Sequence, residues 1–476
     1  MAKKSRAQAA ARRRQAKHKR DKRRSGRPSG GTERSSGSDR DGPSRFDPFA
    51  GITERERAAL EWDSILVAML SGDTPSAEAL TRQVAAATSA RASHLYIETL
   101  AEKMTRAVTS LWPRGWRPAE VIRQVRRAHR RNAHESLAAA AILGEARAYT
   151  RPGARFDDAT WHEQLDEAFA QWSWADMMAS ALASDDAVAW LDAWLAGQGA
   201  DRAAALRCAL EVTLTLRRLP PIEVLGPFPG AAGAAYGAVN DAATGLPTKL
   251  LERVRALLAK AEATDYPDEA AAFTAKAQEI MSRHAIDSAL LGSRAQVREK
   301  PTQRRVDIDD PYPQSKATLL QVVCEANRAR AVWSKGLGFS TVVSFLADLD
   351  IVEILFGSLL VQSTAAMLAH GSRRSAYGHN NTTAFRRAFM QSYANRIGER
   401  LQDSTRAAVD AAAAETGADL LPVLASREDE VDRALEEAFP DLVQCRGSRS
   451  YDREGFVAGS VAADLADLTL FDELAS

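Results

Sequence analysis

The chain has 476 residues, 45% hydrophobic and 26% charged, with a formal net charge of +1. These are the proportions of a globular protein of two to four domains. Three widely spaced cysteines, Cys208, Cys324 and Cys445, exclude a disulfide framework and point to a reducing cytoplasm, and no apolar run approaches the length of a membrane span.

The near-neutral charge hides a strong segregation. Between Lys3 and Arg27 stand thirteen Lys or Arg against the single acid Asp21, about +12, which leaves about −11 on the remainder. Residues 1–51 are basic and then rich in Ser, Gly, Asp and Pro, with too little apolar surface to offset chain entropy, so a disordered tail is expected there. It lacks the apolar stretch of a signal peptide. Lys3, Lys4, Arg12, Arg13, Arg14, Lys17, Lys19, Arg20, Lys22, Arg23 and Arg24 are the candidate nucleic-acid contacts, acting through counterion release with little sequence preference. The alternative is a solubilising tail with no dedicated partner.

Residues 52–225 are expected to form an all-helical domain. Amphipathic, Ala-rich segments run over 54–71, 75–111, 118–149, 159–184, 186–196 and 202–219, divided by Gly, Pro or capping residues. Eight of the nine tryptophans, Trp62 to Trp194, lie here, and indoles at helical spacing fill cores more often than they stack on bases. A helix begun by Pro118 would carry Arg123, Arg127, Arg130 and His134 on neighbouring turns with Arg126 and Arg131 beside them. Arg123, Arg127 and Arg130 are therefore candidate phosphate contacts, against the alternative of a solvated or internally neutralised face.

Residues 226–248 are rich in Pro, Gly and Ala and read as a linker. Beyond it, Leu250, Leu251, Val254, Leu257, Leu258 and Ala261 recur at helical spacing. The pattern breaks at Thr264 to Pro267, and Ala270, Phe273, Ala277, Ile280, Met281 and His284 supply a second stripe, which predicts an antiparallel helical hairpin over 249–291. The run LLERVRALLAKAE followed by YPDEAAAFTAKAQEIMSRHAI resembles the DUF2786 family, a bacterial and phage domain of unknown function. Glu269, Ala270, Ala277, Gln278, Met281 and Ile286 match its motif; the resemblance implies the hairpin and carries no catalytic residue. The abundance of Ala and Arg fits a GC-rich bacterial genome.

Residues 292–314 are polar and proline-bounded and read as a second linker, and 315–476 as a small α+β domain. A helix over 319–327 precedes RARAVWS and STVVSFLA, which flank KGLGF as a β-hairpin. KGLGF lacks the Lys-Ser/Thr of a phosphate loop. An apolar helix over 348–370 follows, then one capped by Asn381 or Thr382 and carrying Phe385, Phe389, Ile397 and Leu401 inward. Arg373, Arg374, Arg386 and Arg387 surround its start and make a candidate anion site. Gly455, Gly459 and Ala463, four apart, predict close helix packing.

His129 and His134 stand five apart, His370 and His379 are separated by a loop, and HExxH, GxSxG, Walker and GxGxxG patterns are missing. No metal or cofactor is expected, and no catalytic residue is assigned. The expected fold is mainly α: a helical N-terminal bundle, a central αα-hairpin and a small α+β C-terminal domain. The expected function is nucleic-acid-associated binding, with a protein as a further possible partner of the helical body. The alternatives are an enzyme with its site near Arg373 to Arg387 and a helical scaffold. Oligomeric state is left open.

Overall fold

The computed structural model describes residues 51–476 except 88, 151–155, 157, 171, 173–179, 182–183, 185, 187, 199–200, 232–247, 264–275, 278–279, 282, 284–298, 374–379, 417–420, 444–451 and 466–476. The basic tail, most of the first linker, the turn of the hairpin and Arg374 thus lie outside the described residues. Those described are mainly α, with fourteen helices and one three-stranded antiparallel sheet.

Eight helices come first: α1 (Glu54–Leu70), α2 (Thr74–Ala85), α3 (Ala90–Thr109), α4 (Pro118–Ala128), α5 (Asn132–Thr150), α6 (Ala159–Ala170), α7 (Ala189–Gly197) and α8 (Arg202–Arg218). Capping residues set several of the starts. Asp73 accepts from the Ser76 N–H at 3.2 Å, Ser89 from Ala92 at 3.0 Å and Asp201 from Ala204 at 3.0 Å, each satisfying an N–H that the helix leaves unpaired. Two helices expected to be continuous are broken, at 86–89 and at 129–131. At the first break Ser89 restarts the helix; at the second His129 is extended, with φ −130° and ψ 114°. Periodicity survived both breaks because the apolar face resumes on the far side.

Six of the tryptophans are core residues. Trp62, Trp112, Trp116, Trp161, Trp190 and Trp194 are buried, and the indole N–H groups of Trp62, Trp116 and Trp194 donate to Tyr96 O, Pro220 O and Ser136 Oγ at 2.9, 2.8 and 2.9 Å. α5 runs through the middle and is buried on nearly every side from His134 to Leu143. Its alanines and Gly144 admit close neighbours; a Cβ on Gly144 would lie 2.4 Å from the Trp190 ring.

The second half is built from α9 (Thr248–Ala263), β1 (Thr302–Asp307), α10 (Pro313–Ala326), β2 (Arg330–Ser334), β3 (Phe339–Ser344), α11 (Leu346–Ala369), α12 (Thr382–Thr416), α13 (Leu421–Ala438) and α14 (Arg453–Leu465). Val254 and Leu258 of α9 share a core with Ala277 and Met281, which are helical too, so these members of the two expected stripes face inward; Ala270, Phe273 and His284 lie outside the described residues. That core continues through α10, α11 and α12. β2 and β3 flank the KGLGF turn as expected, with Arg330 opposite Val343 and Ser334 opposite Phe339.

Two expectations fail here. Residues 302–307, inside the supposed second linker, form edge strand β1, paired antiparallel with β3 in the sheet order β1-β3-β2. TQRRVD has little apolar signal because its arginines are neutralised by distant acids rather than by solvent. And α11 is long and apolar enough to cross a bilayer, contrary to the reading of the apolar runs. Its acids, Asp348, Asp350 and Glu353, cluster at one end and leave residues 354–369 uncharged. In the fold it buries Ile351, Leu355, Leu359 and Met367 in the second core, with Val361 and Leu368 exposed.

The sheet joins the halves. Along β1, Arg304 pairs with Asp350 and Glu353 of α11 at 2.9 and 2.7 Å, and Val306 enters the second core. The alternate residues face the first half, as a strand's period of two requires. Arg305 donates to both Glu120 oxygens and to Gly115 O at 2.9 Å, and Asp307 pairs with Arg123 at 3.1 Å. Opposite Asp307, Phe339 packs edge-on against Trp116 at 6.4 Å and belongs to the first core. The turn after β2 docks on α4, where Gln124 donates to Leu337 O at 2.8 Å and Arg123 to Gly338 O at 2.6 Å. Residues 54–476 make up one compact unit.

Candidate functional site

The break between α4 and α5 assembles the most concentrated chemistry among the described side chains. His129, just past the end of α4, stacks on His134 in the first turn of α5, with ring centroids 4.3 Å apart and planes 10° from parallel. Both face α8. His134 Nε2 lies 2.6 Å from a Glu211 carboxylate oxygen, and His129 Nε2 lies 2.8 Å from the Thr215 hydroxyl, one helical turn further on. Ligand-capable atoms of His129, His134 and Glu211 all lie within 4.8 Å of one another. His134 is 3% exposed, and its Nδ1 is buried with no hydrogen-bond partner among the described residues.

Electrostatics follow from that packing. The hydrogen bond from His134 holds the Glu211 carboxyl below the ordinary carboxylate range, against the upward pull of burial. Burial, reinforced by the neighbouring His134, depresses the His129 imidazole. Cys208, one turn before Glu211, is pushed up to about 12 by burial and then by Glu211, so it stays a neutral thiol and offers neither a nucleophile nor a thiolate ligand at neutral pH.

A cavity of about 730 Å³ lies elsewhere in the same half, lined by His94, Glu98 and Glu102 of α3, by Glu145 and Arg147 of α5, and by Asp186. Glu145 is the buried carboxyl in it. One oxygen accepts from the Thr109 hydroxyl at 3.2 Å, the other is unpartnered among the described residues, and burial raises its pKa. Arg147 is also buried, but its guanidinium is used internally, donating to Asp186 O at 2.7 Å and to Ser184 O.

The expected arginine ridge does not survive as a continuous surface. Arg123 is only 4% exposed and its guanidinium is engaged by Asp307, Asp309 and Gly338 O. It clamps the helical half to the sheet rather than facing solvent. Arg127 is half-buried against Gly338, and Arg130 falls in the turn after the helix rather than on it, exposed beside Arg131. Arg126 reaches across the turn to Glu135 at 3.5 Å. Solvent-facing charge is thus left on Arg126, Arg130 and Arg131, around the histidine pair.

At the other predicted site, α12 does begin at Thr382, whose amide donates to Asn380 Oδ1 at 3.0 Å. Arg373 is held over the Phe385 ring at 5.0 Å and faces Glu454 at 3.7 Å. Arg386 is half-buried and Arg387 exposed on successive positions of the helix. The tail lysines and arginines, Lys3 to Arg24, lie outside the described residues.

Glu211 is the residue that sequence reasoning missed. It stands 77 positions from His134, and no local motif links the two. No curated protein and no solved structure matches the chain. Residues 249–288, which include most of α9 and the buried Ala277 and Met281 that share its core, match the family model described as "Protein of unknown function (DUF2786)".

Proposed function

We propose that the protein is a nucleic-acid-associated binding protein, tethered through its basic N-terminal segment. The observation that carries this reading is the charge segregation: thirteen cations and one acid between Lys3 and Arg27, against a net acidic remainder. Such a block binds a polyanion by displacing condensed counterions. An acidic body disfavours indiscriminate coating of nucleic acid, which leaves the tail as the tether and the exposed arginines Arg126, Arg130 and Arg131 as a secondary contact. Arg123 takes no part in this reading.

The test is binding of the full chain to labelled duplex DNA and to RNA over a salt series, with and without residues 1–27. If six to ten cations engage phosphate, affinity falls by about 10³ to 10⁵ between roughly 50 and 200 mM salt, and deletion of the segment abolishes binding. Binding that persists without the segment, or that is indifferent to salt, overturns the proposal.

A further inference from the structure

We propose that His129, His134 and Glu211 form a binding site for a divalent transition metal of the zinc class. The site is separate from the basic tail, and its test does not depend on nucleic-acid binding.

Donor chemistry comes first. Two imidazoles and one carboxylate are a set that suits zinc, and three protein ligands leave one position for water. Position comes next. Zinc held at bonds of about 2.0–2.1 Å places tetrahedral ligand atoms roughly 3.4 Å apart. The three side chains here bring such atoms within 4.8 Å of one another, so binding requires them to draw together by about 1.4 Å. His134 and Glu211 are anchored on α5 and α8, whereas His129 belongs to neither helix and can swing its ring out of the parallel stack.

Two further observations distinguish the cluster from an ordinary buried His–Glu pair. The two imidazoles lie parallel with ring centroids 4.3 Å apart, which puts two ring donors beside one carboxylate. And His134 Nδ1 is buried without a partner among the described residues. A buried ring nitrogen left without a hydrogen bond is costly. A metal ion bound through Nδ1 would satisfy that nitrogen while Nε2 keeps its contact with Glu211.

The experiment titrates Co²⁺ into untagged full-length protein, following the visible absorption of the ion. Saturation at one equivalent, reversal by Zn²⁺, and a rise in Tm on adding Zn²⁺ are expected. His129→Gln and Glu211→Gln should each weaken binding by at least about tenfold to a hundredfold while far-UV circular dichroism stays unchanged. His129→Gln, in the half-buried turn, serves if Glu211→Gln fails to fold. Absence of saturable Co²⁺ absorption together with an unchanged Tm overturns the proposal, as does binding that both variants retain in full.

Discussion

Burial decides what individual side chains can do here, and it overrides their sequence neighbourhood. Arg123 and Arg130 look equivalent as members of an arginine run, yet one is buried against two aspartates and a carbonyl while the other is exposed past the helix end. Glu145 shows the same principle for an acid. Its folded-state pKa is raised by burial above the ordinary 4.5, so it stabilises the fold in its protonated form. That contribution is complete below the unfolded-state pKa and is lost as pH rises through the folded value. Glu145→Gln, which is neutral throughout, should therefore flatten this part of the dependence. Urea unfolding of wild type and variant across the weakly acidic range up to neutrality checks it: wild type should lose ground relative to the variant as pH rises, and parallel curves would refute the assignment.

At the level of elements, close approach matters more than propensity. Gly455 and Gly459 of α14 lie directly over the backbone of α12, where an added Cβ would come within 2.3 Å of Phe385 O and 2.1 Å of Phe389 O. Ala463 completes the seam, fully buried. Alanine is the better helix former, so in an isolated helix Gly459→Ala would be favourable by up to about 1 kcal/mol. In this fold the clash is with backbone, which cannot rotate away, and the net effect should be destabilising by about 1–3 kcal/mol. A fall in Tm for Gly459→Ala, with little change for alanine at the unencumbered helical Gly357, is the expected result. Spacing of four disclosed this seam in advance because small residues recur on one helical face whichever neighbour they meet. The strand β1 was not disclosed, because its outward-looking arginines acquire partners only when α4 and α11 arrive on its two faces.

Across the whole molecule, the two principal cores communicate through a polar seam. Arg305, Arg123 and Gln124 bind the helical half to the sheet, with Trp116 against Phe339 as its apolar contact. A seam of hydrogen-bonded charges is demanding: removing one partner strands the others in a desolvated place. Arg123→Ala combined with Arg305→Ala should thus uncouple the cores, converting one calorimetric unfolding transition into two, the single variants giving a lowered but still unitary transition. A double variant that unfolds in one step near the wild-type Tm would show that the seam is not what couples them.

The sequence by itself determined the mainly helical class, the inward stripes of the 249–288 segment, the hairpin around KGLGF, the role of the tryptophans as core and the segregation of charge. Each of these rests on local periodicity, turn chemistry or composition, which need no knowledge of distant neighbours. Only the tertiary structure decided that Arg123 is a clamp, that residues 302–307 are a strand, and that Glu211 meets two histidines from the other side of α5. Those outcomes depend on charges paired across 46 to 186 positions, and a pairing at that range leaves no periodic trace in either partner's own stretch of chain.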